Sequence, residues 1–272
     1  MGIILGSFLN AWEWRISVGK SIARGRSVCT KCMSQLSWYD NIPVASFVFL
    51  GGKCRQCKQK ISWQYPIVEI TSGLLFAFVF WFYTNGSDLW SLDSNTWLFI
   101  LRDFLIVYFL LAIFLYDLKH QMILDRFTLL PAVVIFFINT IIFQSFPIQS
   151  GSNLFPHCAG SSCGGTIFSM TLGVLIGGGF FLAQYLVSKG KWIGGGDIRL
   201  GVFMGVILGW KLVVVALFLA YIVGALVSVP LLLLKKKTLA SRVPFGTYLT
   251  VATVVVMFFG EKMLDWYLGL VV

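Results

Sequence analysis

The chain has 272 residues, 58% hydrophobic and only 12% charged, with 21 Lys and Arg against 11 Asp and Glu and a net charge of +10. Mean hydropathy is +0.85. A soluble globular chain carries roughly twice that charged fraction, so a soluble enzyme is excluded and an all-α polytopic membrane protein is expected. The basic residues gather around cysteines and at span ends instead of alternating with stacking aromatics, which excludes a nucleic-acid surface and fits contact with anionic membrane lipids.

Apolar stretches long enough to cross a bilayer recur along the chain. They predict about eight transmembrane helices, near 2–16, 66–84, 97–116, 126–146, 166–188, 197–210, 212–234 and 244–260. The opening stretch is short and carries Glu13 and Arg15. It lacks the basic region that begins a signal peptide, so it is expected to stay as a helix. The stretch 197–210 is nearer in length to a re-entrant segment than to a full crossing.

Lysine and arginine set the expected orientation. Lys20, Arg24, Arg26, Lys31, Lys53, Arg55, Lys58 and Lys60 crowd the first connection, Lys119 and Arg126 flank the third, and Lys189 and Lys191 lie in the fifth. Lys235, Lys236, Lys237 and Arg242 fill the seventh, whereas 85–96 and 147–165 have no lysine or arginine. With eight spans, every basic connection falls on the cytoplasmic side and both termini lie outside.

That first connection contains Cys29-Thr30-Lys31-Cys32 and Cys54-Arg55-Gln56-Cys57. Two such pairs in a reducing compartment have the ligand number and spacing of one tetrahedral zinc site. An iron–sulfur centre needs the same four thiolates and stays open. A segment with so few large apolar residues cannot build much of a core, so metal is expected to supply part of its folding energy. Cys158 and Cys163 fall in an outer connection beside His157, where a disulfide is open.

Two aspartates stand at the same expected membrane edge. Asp117 ends the apolar run Leu98–Tyr116, and Asp197 closes Gly194-Gly195-Gly196-Asp197 ahead of another apolar run. An ionisable group at the edge of hydrocarbon is costly and marks a functional site by default. Paired carboxylates there suit aspartyl proteolysis: one takes a proton from water, while the other, protonated, polarises the peptide carbonyl. Asp197 also fits a helix N-cap. Asp125 rivals Asp117 for the catalytic role, or caps the following span.

The combined pattern resembles the bacterial type IV prepilin peptidases (prepilin leader peptidase/N-methyltransferase), a family of GxGD membrane aspartyl proteases. The resemblance runs through Gly6-Ser7-Phe8-Leu9-Asn10, both cysteine pairs, Asp40-Asn41-Ile42-Pro43 with Ser46, Gly52-Lys53 and Tyr65-Pro66 with Glu69. It continues through Asp117 to Asp125, Gly194-Gly195-Gly196-Asp197 and Pro244-Phe245-Gly246. It implies Asp117 and Asp197 as catalytic residues, with Gly194, Gly196, Asp125 and Glu69 supporting. Leu124 and Thr247 stand where the family commonly has proline, and Arg199 where lysine is usual.

The resemblance implies a first transmembrane helix at 1–16, a cytoplasmic zinc-binding domain at 17–65 with Cys29, Cys32, Cys54 and Cys57 as ligands, and a protease core at 66–272. It further implies residence in the bacterial inner membrane, with the catalytic face toward the cytoplasm. The implied substrates are type IV prepilin-like or pseudopilin precursors, which lose a basic leader after a glycine. The new N-terminus is then methylated with S-adenosylmethionine, although no strand–turn–helix glycine loop is visible for that cofactor. Asp40, Glu69 and Glu13 are candidates to contact the leader or the new amino group. Self-association is open. The rival readings are a presenilin-type protease, an ion-coupled transporter and a non-catalytic assembly protein; the first two leave the cysteine pairs without a role.

Overall fold

The computed structural model describes residues 1–21, 25–84, 94–145, 166–234 and 244–271. Cys158 and Cys163, together with Arg24, Lys235, Lys236, Lys237 and Arg242, lie outside the described residues. The chain divides into two compact units, Met1–Asp93 and Ser94–Val272. Among the described residues the structure is helical, with isolated bridges at Val28–Gln35 and Lys53–Lys60.

In the first unit, α1 (Gly2–Ser17) packs antiparallel on α3 (Gln64–Thr84), with the cysteine segment and the short α2 (Ala45–Phe49) between them in sequence. Small residues bring the helices together. A Cβ on Gly6 would fall 2.9 Å from the Glu69 Cα and from the Ser72 Cβ. The Ser72 hydroxyl donates to the Gly2 carbonyl at 2.8 Å, and Asn10 Nδ2 donates to the Tyr65 carbonyl at 3.2 Å.

The second unit holds α4 (Ser94–His120), α5 (Asp125–Ser145), α6 (Thr166–Ser188), α7 (Gly195–Leu233) and α8 (Phe245–Val271). α7 is not one rod: Gly209, at φ 68° and ψ −178°, interrupts it. A Cβ on Gly177 of α6 would lie 2.4 Å from the Gly201 carbonyl oxygen and 3.1 Å from the Val213 Cγ2. Twelve residues of continuous helix would separate Gly201 from Val213 by about 18 Å, so the arms 195–208 and 210–233 fold back beside each other. Only glycine takes this positive φ without strain.

Glycine also sets the packing of α6 on the first arm. Cβ atoms built at Gly205 and Gly201 would meet the backbone of Gly173 and Gly177 at 2.4 and 2.5 Å. Near the fold-back, Asn139 of α5 donates to the Val206 carbonyl at 3.3 Å and accepts from Arg102 Nη1 at 3.4 Å. Arg102 Nε in turn donates to Asp103 at 2.7 Å, and all three side chains are buried. Polar groups at this depth need such partners, since hydrocarbon offers none.

Among the described residues, six helices are long and apolar enough to cross a membrane by length and composition, α7 counting once. With its arms taken separately and the 16-residue α1 added, the eight expected apolar helices are all present. The first span ends at Ser17 and the third runs on to His120, so Asp117 lies in the last turns of α4, not beyond it. α8 continues past the expected residue 260 to Val271.

Candidate active site

Asp117 is buried near the C-terminal end of α4. Its Oδ2 accepts the backbone N–H of Thr247 at 2.9 Å. Thr247 lies in the first turn of α8, where backbone donors have no partner within the helix and the helix dipole favours an anion. Gly246 allows the approach, because a Cβ there would sit 2.9 Å from the same oxygen. Pro244-Phe245-Gly246 is thus a helix start shaped to receive a carboxylate.

Asp197 occupies the first turn of α7, with Gly194 as the extended N-cap. The Asp197 carboxylate accepts the Gly194 N–H at 3.2 Å, and the Asp197 N–H donates to the Gly194 carbonyl at 3.1 Å. The glycines before it are not equivalent. A Cβ on Gly196 would meet the Ile123 Cβ at 2.8 Å, whereas Gly195 faces open space and Gly194 has room for an ordinary contact. Ile123, in the α4–α5 connection, also lies 2.9 Å from a Cβ position on Gly246. One side chain is therefore wedged between the two glycines that neighbour the aspartates. The two carboxylates lie within electrostatic reach of each other.

Asp125 has a different partner. It begins α5, keeps 53% of its side chain exposed and forms an ion pair with Arg199 of α7. Tyr221, on the returning arm of α7, lies within electrostatic reach of Asp197, hydrogen-bonds Gln184 of α6 at 3.1 Å and packs on the Phe245 ring at 5.0 Å. The sequence expectations named neither Thr247 as a donor nor Ile123, Tyr221 or Gln184. The Pro244-Phe245-Gly246 motif was the available signal for the first of these.

In the first unit, Cys29, Cys32, Cys54 and Cys57 place their sulfur atoms within 4.8 Å of one another. The two pairs are built alike. The Cys29 carbonyl accepts from Met33 at 2.9 Å and the Cys54 carbonyl from Lys58 at 3.0 Å, with positive φ at both Met33 and Lys58. The Cys29 and Cys54 N–H groups then donate to the carbonyls of Ser34 and Gln59, each at 2.9 Å. The 3.9 Å between the Cys29 and Cys57 sulfurs matches thiolates sharing one tetrahedral ion at about 2.3 Å each. Hydrogen bonds from the Ser34 side chain and backbone hold the Cys32 thiol down at about 6, and backbone N–H groups of Cys57 and Gln56 lower Cys54. These residues could hold a metal ion.

The acidic candidates of this unit are engaged within it. Asp40 pairs with Arg55 at 2.9 Å, and the buried Glu69 accepts the Val44 N–H at 2.7 Å. Val44 adopts φ 60°, a costly value for a β-branched residue that the surrounding structure must enforce. Glu13 is buried in α1.

A family model described as the bacterial Peptidase A24 N-terminal domain matches residues 1–83, and one described as the type IV leader peptidase family matches 104–229. Each match falls within one of the two compact units. The chain is 29% identical over 244 residues to the prepilin leader peptidase/N-methyltransferase of Aeromonas hydrophila, covering 89% of this chain and 74% of the relative. It is 27% identical to that of Pseudomonas aeruginosa, covering 98% and 91%, and 26% identical to that of Bacillus subtilis, covering 98% and 95%. No solved structure matches the chain significantly. The two domain matches in chain order, and relatives aligned along nearly the whole sequence, place this integral membrane protein in the type IV leader peptidase family.

Proposed function

We propose that the protein is a membrane aspartyl endopeptidase that removes the basic leader of type IV prepilin-like precursors, with Asp117 and Asp197 as the catalytic carboxylates. The observation that carries the roles is their convergence: helix ends 80 residues apart bring both aspartates to one place around Ile123. The ionised partner takes a proton from water as the water attacks the scissile carbonyl. The protonated partner polarises that carbonyl and then helps the amine leave. The Thr247 amide holds Asp117 in place, and the Gly194 amide holds Asp197. The Arg199–Asp125 pair fixes the start of α5 against α7.

The distribution of lysine and arginine supports residence in the inner membrane with this site toward the cytoplasm. The cysteine cluster holds zinc in a structural role, which its sulfur spacing and closed ligand set favour. Relatives named as N-methyltransferases support a second activity, methylation of the exposed N-terminus with S-adenosylmethionine. Among the described residues no strand–turn–helix cradle for that cofactor is present, and methyl transfer is assigned to no residue. The transporter and non-catalytic readings have no observation in their favour.

The test is mass spectrometry of a prepilin-like precursor incubated in lipid with the protein and S-adenosylmethionine. Loss of the leader plus one methyl group is the expected product. Leader loss alone would remove the methyltransferase half. An untouched precursor, under conditions where the Pseudomonas aeruginosa relative cuts it, would overturn the reading.

A further inference from the structure

Gln184 of α6 and Tyr221 on the returning arm of α7 form a polar pair beside the end of α7 that carries Asp197. Gln184 Nε2 lies 3.1 Å and its Oε1 3.2 Å from the Tyr221 hydroxyl. A glutamine amide carries two N–H donors and one carbonyl acceptor, so one hydroxyl partner cannot satisfy it. Among the described residues no other hydrogen bond engages either side chain. The exposed amide therefore keeps hydrogen-bonding capacity for a further partner.

The pair is flanked by rings. Tyr221 packs edge-on against Phe180 at 6.0 Å and tilted against Phe245 at 5.0 Å. Tyr221 remains 39% exposed and Phe180 41%. Phe245 directly precedes Gly246, whose Cβ position is 2.9 Å from the Asp117 carboxylate. The fold-back at Gly209 is what returns Tyr221 to the end of α7 that carries Asp197. Hydrogen-bonding groups and an open aromatic shelf are thus joined, through one residue, to the wall of the carboxylate site.

We infer that Gln184, Tyr221, Phe180 and Phe245 form a substrate subsite beside the aspartates, taking an extended peptide segment with a large apolar side chain next to the scissile bond. The inference rests on the peptidase reading above and assigns it a place for the substrate. A peptide stretched for hydrolysis leaves its own N–H and C=O groups unpaired in the membrane. The Gln184 amide and the Tyr221 hydroxyl supply partners, while the rings cover the side chain. These are positioning groups and take no part in proton transfer.

The test measures binding without cleavage, in Asp197→Asn protein held in nanodiscs, using fluorescent peptides that span the scissile bond. One peptide carries phenylalanine after that bond and the other alanine. The parent is expected to prefer phenylalanine by about tenfold or more, the scale of burying one large side chain. Tyr221→Leu should abolish most of that preference. Tyr221→Phe and Gln184→Leu should keep it but weaken both peptides several-fold, the scale of one lost hydrogen bond. An unchanged preference in Tyr221→Leu, together with unchanged affinity in Gln184→Leu, would overturn the subsite. If Tyr221→Leu does not fold, the Tyr221→Phe and Gln184→Leu affinities decide alone. Cleavage of the precursor by the unaltered protein is scored separately. Its absence removes the peptidase reading, while the peptide preference still decides whether this surface binds the segment.

Discussion

The backbone N–H of Thr247 reaches across 130 positions of sequence to the carboxylate of Asp117, at 2.9 Å. The contact belongs to the main chain of α8, and the buried Thr247 hydroxyl donates to the Pro244 carbonyl at 2.6 Å, steadying the turn that aims the N–H. Thr247→Ala keeps the N–H and loses only that local bond, so cleavage should fall by no more than several-fold. Thr247→Pro keeps an acceptable residue in the first helical turn but deletes the donor. Proline is the common residue at this position in the family that the sequence resembles, so Thr247→Pro is expected to keep cleavage. A fall in kcat of roughly tenfold or more in precursor-processing assays, the scale of one lost hydrogen bond to a charged group, would show that this chain depends on the donor.

Asp117→Asn and Asp197→Asn should each abolish detectable leader removal. Both variants are expected to keep the melting profile of the parent in detergent. Parent-like cleavage by either variant would remove that residue from its catalytic role.

The glycines before Asp197 can be separated by experiment. Gly195→Ala enters open space, whereas Gly196→Ala meets Ile123 at 2.8 Å. The first should be near neutral in activity and stability. The second must shift the α4–α5 connection or the start of α7, so cleavage should drop at least tenfold, the scale of a small misplacement of catalytic groups. Equal effects of the two substitutions would contradict the wedge.

A similar contrast tests the close approach of α6 and α7. Gly205→Ala collides with the Gly173 backbone at 2.4 Å, while Gly179→Ala meets nothing within 4 Å. Overpacking of this kind costs about 1–3 kcal/mol, and the alanine at 179 gains up to about 1 kcal/mol of helix propensity. Thermal melts should move in opposite directions.

Metal analysis of protein purified without added metal should give about one zinc per chain, as a four-thiolate site requires. Zinc binds thiolates and is displaced as they protonate, so the metal content should fall on acidification. Ser34 holds the Cys32 thiol down at about 6. Ser34→Ala removes part of that effect, raises the thiol and should move the midpoint of zinc release to higher pH. An unchanged midpoint would show that Ser34 does not act on the bound form.

The cysteine cluster was legible because ligand number and spacing are local properties: each pair makes its own turn, and the two turns bring four sulfurs within 4.8 Å of one another. Asp117 and Asp197 were legible because charge at a membrane edge is rare. The break expected between 197–210 and 212–234 falls within three residues of the observed vertex at Gly209, whereas the positive φ that turns the chain there is a tertiary property no pattern announces. The Thr247 amide, Ile123 and the Gln184–Tyr221 pair stayed hidden for another reason. They act through tertiary neighbours 37 to 130 residues away, and a backbone N–H, an isoleucine and a glutamine are each unremarkable alone. Asp40 and Glu69 invited a reading as substrate contacts, but Arg55 and the Val44 amide already engage them.

Gly209 also sets the parity of the chain's passages through the second unit. The second arm of α7 runs back past the level where the helix starts and sets Gly224 beside Phe245 and Tyr248, so the start of α8 can bring Thr247 to Asp117. Straightened at that one residue, the same 39 residues would extend roughly 58 Å and carry α8 to the far side. An even count of passages would become odd, and the start of α8, with Gly246 and the Thr247 amide, would lie at the opposite end of the unit from Asp117 and Asp197. Whether Asp117 meets the main chain of α8 therefore depends on the backbone angles of a residue far from either aspartate.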